Sequence, residues 1–237
     1  MTNARPATGG SAAESLDATK LRAPTELKVR DRAVTADDFA YHAQQTQGVA
    51  IHTAYALARR AVDVKSHRLY QKEGAVTVVI LPGNTREETP QPSEQQLSAI
   101  ANHLNSKRLI TTEVFVTGPR YTAIEQLNVN VKVKPGADLQ TVSEQIKNTL
   151  LNYFNPLTGG DQGKGWPFGE NIYYGGIYRL LLSIAEVQRV INLDLHVEEE
   201  EEHAVAQEEY SDVVAIAEGR LPHLRADAIV LQVNYER

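Results

Sequence analysis

Residues Leu127 to Lys134 read LNVNVKVK, with Leu127, Val129, Val131 and Val133 alternating against Asn128, Asn130, Lys132 and Lys134. A period of two puts every apolar side chain on one face, the signature of a half-buried strand. INLDLHVE, from Ile191 to Glu198, repeats the pattern, with Ile191, Leu193, Leu195 and Val197 inward. Between the two come a Pro135-Gly136 stop and an Asp138 N-cap. Leu139, Val142, Ile146, Leu150 and Phe154 then recur at helical spacing up to Asn155-Pro156. A glycine-rich loop follows, then a helix carrying Tyr173, Ile177, Leu180, Leu181 and Ile184. Strand, helix, loop, helix and strand over residues 120–199 predict a two-layer α+β unit.

The preceding stretch predicts an architectural cousin over residues 33–119. Thr35-Ala-Asp-Asp38 supplies an N-cap and an acidic first turn to a helix with Phe39, Ala40 and Ala43 inward, ended by Gly48. Val49–Leu57 and Ala75–Leu81 read as strands, the second stopped by Pro82-Gly83, with Ala58–Glu73 between them a polar, basic loop. Ser93-Glu-Gln-Gln makes a capping box for a helix facing inward with Leu97, Ile100, Ala101 and Leu104, and Glu113–Thr117 is a short strand. The fold class is therefore α+β: two small two-layer α/β sandwich (ferredoxin-like) units in tandem. Residues 1–32 form an extended arm with a short helix near Ser15–Arg22. Residues 200–237 form a tail whose strands, Val213–Ala217 and Ala228–Tyr235, are separated by Gly219 and Pro222 and are available to a neighbour's sheet edge.

A net charge of -6 gives no basic excess to neutralise phosphates, which argues against nucleic acid as the main partner. The absence of cysteine excludes disulfides, thiolate zinc sites and cysteine nucleophiles. No apolar run approaches the roughly 20 residues that span a bilayer, and MTNARPATGG has no apolar signal core. The expectation is a protein without direct membrane insertion and without a signal peptide.

GGDQGKGWPFGENIYYGG, Gly159 to Gly176, holds seven of the chain's 15 glycines and its only tryptophan. A lysine among glycines raises the question of a phosphate cradle. The P-loop pattern needs four residues between its glycines, then Lys and a hydroxyl residue that holds magnesium. Gly159 and Gly163 are separated by three, Gly165 stands where Ser or Thr is needed, and the loop follows a helix rather than a strand. The favoured reading is a permissive turn anchored by Trp166 and Phe168. A small-ligand or nucleotide-phosphate site at residues 159–170 is the alternative.

Histidines 42, 52, 67, 103, 196, 203 and 223 show no metal-ligand spacing, and the acidic run Glu198–His203 reads as a solvated segment. Asp37 and Asp38 complement a helix dipole, and Arg59, Arg60, Lys65, His67 and Arg68 form a basic surface loop. No catalytic constellation assembles; the chain is expected not to be an enzyme and to need no cofactor or metal.

Taken in order, several stretches resemble the baseplate J-like family, the wedge proteins of contractile phage tails and related injection systems. They are ATGGSAAESLD with RAPTELKVRDRAVTADDFAYHA, then VTVVILPG, RLITTEVFVTGPRY, and above all NYFNPLTGGDQGKGWPFGENIYYGGIYRLLLSI. The resemblance spans roughly residues 8–200, and GWPFG with its PLTGG lead-in is its most specific block. It implies a C-terminal portion or shortened member of that family, assembled in the bacterial cytoplasm into a tail-like particle. It also implies partners: a second copy within a wedge, other wedge and hub proteins, and the sheath. Trp166, Pro167, Phe168, Gly169, Tyr173 and Tyr174 are the candidate interface or loop-anchor residues.

Overall fold

The computed structural model describes residues 15–17, 19–20, 23–24, 31–63, 68–83, 85, 87–198 and 212–235. The ATGG junction, Arg22, Lys65, His67 and residues 199–203 of the acidic run lie outside them. Within the arm, Leu16, Asp17, Thr19 and Lys20 are helical.

The first unit opens with α1 (Ala36–Gln44). Thr35 caps it as the sequence predicts, and Asp38 completes a capping box: Thr35 Oγ1 accepts from the Asp38 amide at 3.2 Å, and Asp38 Oδ2 accepts from the Thr35 amide at 2.8 Å. The antiparallel strands β1 (Ile51–Val62) and β2 (Leu69–Pro82) follow, then α2 (Glu94–Lys107), with its Ser93–Gln96 box, and β3 (Glu113–Thr117), parallel to β2. The sheet order is β1-β2-β3. Phe39, Ala43, Ile100 and Leu104 from the helices pack with Val76, Val78 and Ile80 of β2.

Residues 58–62 and 69–73 are strand rather than the expected loop. The ladder continues through Arg60↔Gln71, Ala61↔Tyr70 and Val62↔Leu69, past a register shift at which Arg59 adopts φ 56. Apart from the buried Ala61, the described residues of this stretch are exposed or half-buried and lack apolar alternation, so their polar composition concealed the pairing.

In β2, every residue from Ala75 to Pro82 is buried. A strand covered on both faces gives such a continuous apolar run. One face meets α1 and α2. On the other, Leu81 belongs to the second unit's core, and a Cβ at Gly219 would lie 3.7 Å from Val79.

The second unit is built on β4 (Arg120–Val133), whose Leu127, Val129, Val131 and Val133 are buried as the alternation predicts. Helix α3 (Leu139–Tyr153), capped by Asp138, buries Val142, Ile146 and Leu150. The glycine loop leads to β5 (Ile172–Tyr173), α4 (Tyr174–Leu182) and β6 (Val187–Val197), which runs antiparallel to β4. Ile191, expected inward, is 44% exposed: the register jumps from Asn130↔Asn192 to Val131↔Val190, so Ile191 is the extra residue of a bulge.

The tail departs from expectation in the same way. After β7 (Val213–Val214), which pairs with β5, come β8 (Arg220–Leu224) and β9 (Ile229–Tyr235). Instead of serving a neighbour's sheet, both run parallel to β4 of their own chain, against Arg120–Ile124 and Leu127–Val133. The 14 residues of β4 exceed what β8 alone covers, and β9 occupies the remainder of that side. Pro222, expected to separate strands, lies within β8, where an outer strand tolerates a missing N–H. The fold is α+β. Among the described residues the two larger sheets each have three columns of strands, an order distinct from the four-stranded ferredoxin-like one, and β5 with β7 forms a separate two-stranded ladder.

Candidate functional site

The loop between α3 and β5 begins with Phe154, the C-cap of α3. Asn155 turns the chain by accepting the Leu157 and Thr158 amides on Oδ1 at 2.9 and 3.0 Å. The glycine amides are then used one after another on backbone carbonyls. Gly159 donates to Asn155 at 2.8 Å, Gly160 to Tyr153 at 2.8 Å, Gly163 to Gly160 at 3.2 Å, Gly165 to Gly159 at 3.0 Å and Gly169 to Arg220 at 2.9 Å. A phosphate cradle needs such amides free and convergent. The nucleotide-phosphate alternative is therefore corrected: these donors are committed to closing the loop.

Three glycines are required by space, among them Gly160, where φ is 73° and a Cβ would meet the Gly165 carbonyl oxygen at 2.9 Å. A Cβ at Gly159 would stand 2.2 Å from the Tyr153 carbonyl oxygen. At Gly165, φ is 99° and a Cβ would meet the Pro156 carbonyl oxygen at 2.6 Å and His52 Nε2 at 2.8 Å.

Trp166 is 4% exposed. Its indole stacks on Phe154 with centroids 5.5 Å apart, meets Tyr153 edge-on at 5.4 Å, and donates from Nε1 to the Glu170 carbonyl at 3.1 Å. Phe168, half-buried, stacks on Tyr55 of β1 at 5.7 Å. Gly169 holds φ 69° against Glu218. Pro167 is exposed. Tyr173, expected on the inner face of a helix, is instead the extended N-cap of α4 and 51% exposed. Tyr174 is half-buried, its hydroxyl accepting from the Leu195 amide at 3.2 Å.

Opposite the loop runs β1. His52 Nε2, in its protonated tautomer, donates to the Lys164 carbonyl at 3.0 Å, a contact between residues 112 positions apart. Between strand and loop lies a cleft of about 590 Å3. Tyr153 donates its hydroxyl to Asp161 at 3.0 Å, and Arg179 stands 3.7 Å from the same carboxylate. Burial, reinforced by Asp161, pushes the Tyr153 phenol above its ordinary range. Lys164 is exposed. No group of three or more His, Asp or Glu is placed to hold a metal among the described residues.

Sequence reasoning reached Trp166, Phe168 and Phe154 through their local pattern. It missed Asp161, which lies in the loop itself, and His52, Tyr55 and Arg179, which come to the loop only through tertiary packing.

No protein-family model matches the chain, and no curated protein does. Among solved structures, a chain of the anti-feeding prophage baseplate, determined by cryo-EM with six-fold symmetry imposed, superposes with a TM-score of 0.62 at 17% sequence identity. The likeness is one of fold. The match covers 92% of this chain and 43% of that one, so this chain spans less than half of its neighbour's length. No helix among the described residues is long and apolar enough to cross a membrane.

Proposed function

We propose that this chain is a structural wedge component of the baseplate of a contractile tail or injection system, of the baseplate J-like type. The observation that carries the proposal is the superposition of 92% of the chain on a baseplate chain. The order of the GWPFG block and its companion stretches in the sequence supports the same reading. In this role the chain works by assembly around a central hub and by passing on the contraction trigger, without catalysis. Its partners are a second copy, other wedge and hub proteins, and the sheath. The division into an arm (1–32), two units (33–119 and 120–199) and a tail (200–237) belongs to the reading. So does the assignment of loop residues: Trp166, Phe168, Gly169 and Tyr174 fasten the loop, while the exposed Pro167 and Tyr173 meet the partner.

Co-expression of the full protein with the baseplate proteins encoded beside it tests this directly. An affinity-tagged chain is expected to co-purify with at least one of them in a defined subcomplex. A chain that leaves the column alone under conditions where its neighbours are soluble refutes the wedge assignment.

A further inference from the structure

Four consecutive residues of β1, His52, Thr53, Ala54 and Tyr55, border the cleft. Thr53, Ala54 and Tyr55 pair regularly past the register shift at His52, and neighbouring side chains of such a strand point to opposite faces, so a cavity that touches all three abuts the strand's edge. Among the described residues β1 is paired on one side only, to β2.

The two halves of this outer strand are finished differently. The C-terminal half carries Arg59 and Arg60 and a bulge with Arg59 at φ 56, devices that blunt an edge against pairing. The half in the cleft has a register shift at His52 but no Lys, Arg, Asp, Glu or Pro from His52 to Tyr55, so past His52 its edge is regular and uncharged. Beneath it the glycine loop forms a floor, joined to the strand by the His52–Lys164 hydrogen bond at one end and the Tyr55–Phe168 stack at the other. The floor presents the exposed ring of Tyr173 and, at its rim, the cations of Lys164 and Arg179.

We infer that this cleft receives an extended segment of a partner polypeptide, which adds to β1 alongside residues 52–55 as a further strand of the first sheet. Unpaired backbone donors and acceptors along an edge specify an extended backbone as the occupant. Four residues of strand cover roughly 13 Å, and side chains alternating along the segment would meet the aromatic floor on one face only. The inference does not depend on which assembly the chain belongs to.

The absence of cysteine allows a single-site test. Lys164→Cys, at an exposed side chain on the cleft rim, is joined by a disulfide to the peptide Cys-Gly-Gly-Thr-Val-Thr-Val-Thr. The control is the same peptide N-methylated at every residue of its Thr-Val segment. Tethering raises the effective concentration to the millimolar range, so weak pairing is visible. Amide exchange is read residue by residue, with unchanged protection in β2 confirming the fold. The outward amides among residues 52–55 are expected to exchange at least about tenfold more slowly with the unmethylated strand than with the control. Equal exchange with the two peptides overturns the inference. Protection of the same amides that grows with protein concentration in the absence of peptide would assign the edge to a second copy and overturn it as well.

Discussion

The indole of Trp166 lies on the ring of Phe154, centroids 5.5 Å apart and planes 19° from parallel. Phe154 is the C-cap of α3, so the chain's only tryptophan returns the loop to the helix it has just left. Replacing a buried aromatic by alanine removes its transfer free energy and leaves a cavity, together worth about 3–5 kcal/mol. Trp166→Ala is expected to lower the unfolding free energy by about that amount in chemical denaturation. A loss below about 1 kcal/mol would mean that the loop does not depend on this packing.

Glycines in the same loop are predicted to differ in kind. Gly159→Ala forces a Cβ to 2.2 Å from a backbone carbonyl that has no room to yield, and should destabilise by more than about 2 kcal/mol. Gly175 lies in α4, and a Cβ there meets nothing within 4 Å. Gly175→Ala should therefore gain about 0.4–1 kcal/mol, chiefly by restricting the unfolded chain. Melting temperatures of the two variants should move in opposite directions.

Acid should loosen the junction of α1 and α2. His42, 6% exposed, and His103 face each other with ring centroids 6.2 Å apart, and neither Nε2 has a hydrogen-bond partner. Burial, and then the Lys107 ammonium, hold both imidazoles below their ordinary pKa, while Asp31, paired to Lys107, opposes the shift. A base whose folded pKa is depressed contributes stability that is present above its unfolded pKa of about 6.5 and is lost as pH falls from there through the folded value. His223, lowered by burial and Arg225, adds to the same slope. Unfolding free energy is expected to decline between about pH 7 and 5, and the His42→Leu, His103→Leu double variant should decline less. Parallel profiles for the two proteins would contradict this.

Nucleotides should leave the protein unchanged. With the glycine amides donated to carbonyls, ATP or GTP with magnesium is expected to give no saturable rise in melting temperature. A saturable shift that disappears in Lys164→Ala would restore the phosphate reading.

Much of this architecture was legible residue by residue. Thr35 and Ser93 with their partners Asp38 and Gln96 announced two helix starts, because a capping box is closed by residues three positions apart. The alternation from Leu127 to Val133 located a strand and its inner face for the same local reason. Ile191 shows where that logic stops: its pattern pointed inward, and a bulge in the pairing with β4 turned it out. The candidate site was half legible, its glycines and rings apparent in one short stretch, its β1 wall invisible.

By itself the sequence determined what depends on near neighbours: where helices begin, which faces are apolar, and that Lys164 lacks the spacing and the hydroxyl of a phosphate loop. Only the tertiary structure decided what depends on chain segments far apart. It placed β8 and β9 on the open side of β4 and the edge of β1 across from the glycine loop. The physical reason is that a strand's side-chain pattern states that one face is buried, whereas its backbone donors and acceptors accept any partner strand. Pairing is chosen by the packing of the whole chain.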